Sequence, residues 1–152
     1  MKISTRGRYG LRAMVDIAIH ANEKCISLKS IAERQGISEN YLEQLMSSLK
    51  KGGLVKSTRG SQGGYILNEE PQNISVGDIL RALEGNLSPV NCVDDETQEP
   101  SCAKGVCIGC VTKSVWEKIY ESLNDVIDNI TLGDLVDDYR HNERGEPSGN
   151  IF

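Results

Sequence analysis

The sequence predicts a mainly α-helical fold with a small β-wing: a winged helix-turn-helix domain followed by a long C-terminal dimerisation helix. Three observations carry this expectation. Apolar residues recur at helical spacing over 7–21 and again over 28–51. A glycine-rich turn, Gly60-Ser61-Gln62-Gly63-Gly64, then separates two short strand-like runs. Finally, Val111, Val115, Ile119, Leu123, Val126 and Ile130 recur at steps of three or four residues, enough for a helix of about five turns.

In the first helix, Leu11, Met14, Val15, Ala18 and Ile19 share one face while Arg8, Arg12 and Asp16 fall elsewhere, and Ser4 or Thr5 caps the start. Ser27 opens a second helix, LKSIAERQ, which Gly36 stops. Ser38 caps a third, ENYLEQLMSSLKK, ended by Gly52-Gly53. Ile31, Ala32, Gly36, Ile37, Leu42 and Leu45 have the spacing of two helices crossing steeply: small Ala allows close contact, Gly the tight turn, and the apolar residues pin the pair. The helix-turn-helix therefore spans about 28–51 and the wing about 54–67, within a domain of residues 1–84. A generic helical hairpin is the plainer alternative for this pair.

Charge is distributed unevenly. Residues 1–60 carry eleven Lys and Arg against five Asp and Glu, while 61–152 carry six against seventeen. A basic head on an acidic body suits a protein that touches a polyanion at one end. Asn40, Glu43 and Gln44 on the third helix are the side-chain types that read base edges, Asn and Gln at adenine and Glu at the cytosine amino group. An ordinary solvated helix face is the competing reading for each. Arg59, at the tip of the first wing strand, is placed to enter a minor groove. Phosphate contacts are expected from Arg6, Arg8, Arg12, Lys50, Lys51 and Lys56, and Tyr41 joins the candidate DNA-contacting set. The Gly60–Gly64 turn lacks the lysine and following helix of a nucleotide-binding loop.

Four of the five cysteines, Cys92, Cys102, Cys107 and Cys110, lie in a polar loop with nine, four and two intervening residues. Such a soft ligand set selects zinc, copper(I) or an iron–sulfur cluster. The N-terminus MKISTRGRYG lacks a secretory signal and no run of eighteen apolar residues occurs, so a cytoplasmic protein without a membrane anchor is expected. In that reducing compartment, clustered thiols are ligands or redox sensors more often than structural disulfides. Four thiolates satisfy a [2Fe–2S] centre; zinc on Cys107 and Cys110 and a thiol switch are the rivals. Cys25 stands apart as a small buried or half-buried thiol. An enzyme is not expected: His20 and His141 are the only histidines, and no nucleophile–base pair appears.

Ser75-x-x-Asp78 and Thr131-x-x-Asp134 read as capping boxes. The first opens a helix carrying Val76, Ile79, Leu80 and Leu83 and closed by Gly85; the second opens a short final helix through Leu135 and Val136. The cysteine loop fills 85–110, the dimerisation and terminal helices 111–139, and a polar tail 140–152 that is expected to be disordered. Its Ile151-Phe152 end reads as a frayed terminus, with docking on a partner as the alternative.

MKISTRGRYGLRAM, ISENYLEQLMSSLKKGGLVKSTRGSQGGYIL and NITLGDLV together resemble the IscR/NsrR/CymR family of winged-helix transcription regulators, over roughly residues 1–139. The resemblance implies a homodimer in which the long helix crosses its mate, with paired recognition helices on a palindromic operator. It also implies base contacts at Asn40, Glu43 and Gln44 and a minor-groove arginine at Arg59. Family members that sense iron–sulfur or nitric oxide status hold a cluster through three loop cysteines, whereas CymR-type members lack those cysteines. Lys113 stands where IscR has a histidine ligand. Cys107 then substitutes as fourth ligand beside Cys92, Cys102 and Cys110, or the other subunit supplies it, although Arg8 does not suit the acidic ligand used by NsrR. The resemblance thus implies a cluster-controlled regulator. The alternative is a metal-free, CymR-like repressor controlled by a partner enzyme or by thiol oxidation.

Overall fold

The computed structural model describes residues 2–21, 24–94 and 110–145. Cys102, Cys107, most of the cysteine loop and the end of the tail lie outside them. The described chain forms helices α1 (Thr5–His20), α2 (Leu28–Gln35) and α3 (Glu39–Lys51), strands β1 (Val55–Thr58) and β2 (Gly64–Leu67), and helices α4 (Val76–Glu84), α5 (Lys113–Asn129) and α6 (Leu132–Glu143). Short 3-10 turns occur at Pro71–Asn73 and Asn91–Val93.

Local chemistry sets most boundaries. The hydroxyls of Ser4, Ser27 and Ser38 each accept a first-turn N–H. Gly36 takes φ 65°, a left-handed geometry that glycine adopts freely, and turns α2 into α3 within three residues. Strands β1 and β2 pair antiparallel from Val55 with Leu67 to Thr58 with Gly64. Ile26 bridges the other side of β2 at Tyr65, so the wing is tied back to the segment before α2. The mainly α winged helix-turn-helix with its small wing is therefore present.

Both expected capping boxes form, at Ser75 with Asp78 and at Thr131 with Asp134. Their backbones also pair: the Val76 N–H donates to the Ile130 carbonyl, and the Leu132 N–H to the Ile74 carbonyl, both at 2.8 Å. The starts of α4 and α6 are thereby stitched together. Helix α6 continues to Glu143, beyond the expected end at 139.

The main core gathers Ala13, Met14 and Ile17 of α1, Ile31 and Ala32 of α2, Leu42, Leu45, Met46 and Leu49 of α3, and Ile79 and Leu83 of α4. Two expectations shift here. The deepest face of α1 is Gly10-Ala13-Met14-Ile17, whereas Leu11, Val15 and Ile19 are only half-buried and line a cavity of about 510 Å³ shared with Leu135 and Tyr139 of α6. Asp16, expected on the polar side, is 4% exposed. Its carboxylate accepts from Arg34 Nη2 at 2.6 Å, from Arg34 Nε at 3.0 Å and from Gln35 Nε2 at 2.8 Å. A buried carboxylate persists only when paired and hydrogen-bonded, and Arg34 supplies the bidentate partner. The Asp16 bond in turn keeps the Arg34 pKa raised.

The apolar series of α5 also divides. Ile127 is buried against Val76, Leu80 and Leu87, with Tyr120 and Leu123 beside it. Val111, just before the helix, Val115 and Val126 are 85%, 51% and 52% exposed. Arg81 of α4 holds the inner side of α5 by donating to Asp128 at 2.7 and 2.8 Å and to Asn124 at 2.8 Å. No helix among the described residues is long and apolar enough to cross a membrane.

Candidate nucleic-acid interface and cysteine segment

Helix α3 buries Leu42, Leu45, Met46 and Leu49, which turns Asn40, Glu43, Gln44 and Ser47 outward along one exposed strip. Ser47 was not anticipated; it continues that strip at the helical step from Glu43 and Gln44, a spacing present in the sequence. The wing starts beside this strip. Lys50 Nζ donates to Ser57 Oγ at 2.5 Å, so this expected phosphate contact also braces helix against strand. The Tyr65 phenol on β2 has its pKa raised by burial and then by the Glu43 charge. Arg59, Lys51, Lys56 and Arg8 are exposed and available to a polyanion.

Three expected contacts are engaged within the chain. Tyr41 is half-buried, its ring edge-on to Tyr9 at 6.2 Å. Arg12 lies over the Tyr9 ring at 5.2 Å and donates to Gln35 Oε1 at 3.0 Å. Arg6 donates to the Leu83 carbonyl and to Ser48 Oγ.

Of the four loop cysteines, two are described. Cys92 sits in the 3-10 turn Asn91–Val93, which packs against α5. Cys110 precedes α5, its Sγ 3.2 Å from Thr112 Oγ1. That hydroxyl, the Thr112 and Lys113 backbone N–H groups and the Lys113 charge all favour thiolate, lowering the Cys110 pKa. Among the described residues, no group of three His, Cys, Asp or Glu converges to hold a metal; Cys102 and Cys107 fall outside them. Cys25 is half-buried, as expected, with its thiol 3.4 Å from Thr58 Oγ1 at the wing.

A helix-turn-helix with its outward strip, a braced wing and exposed cations defines a winged-helix regulator. Residues 3–138 match the model of Rrf2, a family of iron-dependent transcriptional regulators. The chain belongs to the Rrf2 family. It is 47% identical over 136 residues to the HTH-type transcriptional regulator CymR of Bacillus subtilis (strain 168), covering 90% of each chain. It is 39% identical over 141 residues to the HTH-type transcriptional regulator IscR of Vibrio campbellii, covering 91% of this chain and 79% of that one. Among solved structures, T. potens IscR superposes with a TM-score of 0.72 at 49% identity, covering 98% of this chain and 94% of that one. The global cysteine regulator CymR of B. subtilis gives 0.72 at 44% identity, covering 90% and 97%. The chain is thus a transcriptional regulator, not an enzyme.

Proposed function

We propose that this regulator is a homodimer that reads a palindromic operator through α3 and the wing, under the control of a [2Fe–2S] cluster held by Cys92, Cys102, Cys107 and Cys110. The observation that carries the cluster reading is the thiolate-favouring site of Cys110 at the head of α5, with the Cys92 turn packed on the same helix. A thiolate, not a thiol, is what an iron–sulfur centre takes as ligand. Bound there, the cluster would supply sensitivity to redox, nitric oxide or iron–sulfur status. The chain's own residues supply the rest. Asn40, Glu43 and Gln44 face base edges, Arg59 reaches a minor groove, and Arg8, Lys51 and Lys56 neutralise phosphates. Val111, exposed just before α5, Val115 and Val126, exposed on it, and the apolar cavity wall of Leu11, Val15 and Ile19 support a second copy as partner.

A second reading is favoured by the likeness to CymR, including a solved structure described as the oxidized form of Staphylococcus aureus CymR, at 42% identity. In it, control comes without metal, through thiol oxidation or a partner enzyme. Anaerobic reconstitution with iron and sulfide separates the two. The cluster reading expects a coloured chain with two irons and two sulfides per protomer, as the [2Fe–2S] composition requires, and with altered operator affinity. A colourless chain binding one zinc, or none, ends it.

A further inference from the structure

The end of α4 is a junction between α1 and the recognition helix. One Glu84 carboxylate oxygen accepts from the Ser4 N–H at 3.0 Å, the Ser4 hydroxyl at 2.5 Å and the Gly7 N–H at 2.8 Å. A Cβ on Gly7 would stand 2.5 Å from that oxygen, so a larger residue there would push the Glu84 carboxylate aside. One residue back, the Leu83 carbonyl accepts from Arg6 Nε at 3.3 Å. The same guanidinium donates through Nη2 to Ser48 Oγ on α3 at 2.9 Å. The Ser48 hydroxyl then donates to the Gln44 carbonyl at 3.4 Å. An unbroken chain of donors and acceptors therefore runs from the end of α4 into the backbone of a residue on the outward strip.

We infer that Arg6 is a positioning residue for DNA specificity: its guanidinium sets α3 against the end of α4, and it is not a phosphate anchor. The inference rests on the proposed reading of α3 as the base-contacting helix. A phosphate contact needs only a positive charge that can reach the backbone, a task lysine also performs. Bridging a carbonyl and a hydroxyl on two different helices needs the fixed fork of arginine, which a single ammonium does not span.

The test uses a labelled duplex enriched by the wild-type chain from a random pool, a scrambled duplex, and affinity measured across a range of salt concentrations. Arg6→Ala and Arg6→Lys are both expected to reduce the preference for the enriched duplex by about tenfold, the lower end of the scale of one lost charged hydrogen bond, while the salt slope stays at its wild-type value. Ser48→Ala should reproduce that loss, and Arg6→Ala with Ser48→Ala together should lose no more than either alone. A slope reduced by about one unit in Arg6→Ala and restored in Arg6→Lys would mark a phosphate anchor and overturn the inference. Additive losses from Arg6 and Ser48 would also overturn it. In both cases operator binding itself stands. A chain that enriches no duplex removes the proposed function and this inference together.

Discussion

Replacing Asp16 by Asn keeps the shape of the side chain but turns one acceptor into a donor facing Arg34 and Gln35, which are themselves donors. The wild-type carboxylate is 2% exposed at the side chain and accepts from both. Losing charged hydrogen bonds in such a site costs roughly 1.5–3 kcal/mol each. The Arg34 guanidinium is 35% exposed and regains water, so much of its share is returned. A net loss of about 2 kcal/mol follows, or roughly 4–8 °C in melting temperature for a chain of this size. Arg34→Met should cost more, about 3 kcal/mol, because it strands a buried carboxylate rather than a half-exposed cation. Chemical denaturation at fixed protomer concentration measures both, since association would otherwise shift the midpoint. The reasoning fails if Asp16→Asn leaves the midpoint unmoved, or if the order of the two variants is reversed.

Further perturbations probe the remaining surfaces. Glu43→Ala should relax base preference with little change in total affinity, whereas Lys51→Ala should weaken all duplexes alike and reduce the salt slope by about one unit; identical behaviour would erase the division into reading and anchoring residues. Val126→Glu, on an outward position of α5, should raise the dimer dissociation constant by at least about tenfold in sedimentation equilibrium without lowering protomer helicity; an unchanged dimer would place the interface elsewhere. In the metal-free chain, Cys110 should be alkylated with a midpoint below that of an ordinary cysteine, because its thiolate is favoured in the folded state. The rate should rise as pH increases through that lowered value. Thr112→Ala should move the midpoint upward, and no movement would discount the Thr112 bond.

What was legible in the sequence was local. Ser27, Gly36, Ser38 and the boxes at Ser75 and Thr131 act within one helical turn, so their residue types announce the boundaries they set. The outward positions of Asn40, Glu43 and Gln44 followed from the period of their buried neighbours. What depended on distant partners was not legible. Asp16 reads as a polar-face residue until Arg34, eighteen positions on, crosses over it. Arg6 reads as a free cation until α4 and Ser48 close around it. The valines of α5 share a period with Ile127, and periodicity does not say which side meets the chain's own core.

The paired backbone bonds at Val76–Ile130 and Ile74–Leu132 fix one end of α5 to the head domain, and the Arg81 clamp lies beside that end. Its seventeen residues span roughly 25 Å at 1.5 Å per residue, and Cys110 lies at the opposite extremity. The helix is thus a lever with its fulcrum at the stitched end. A small tilt about the stitch becomes its largest excursion at the sulfur-bearing tip.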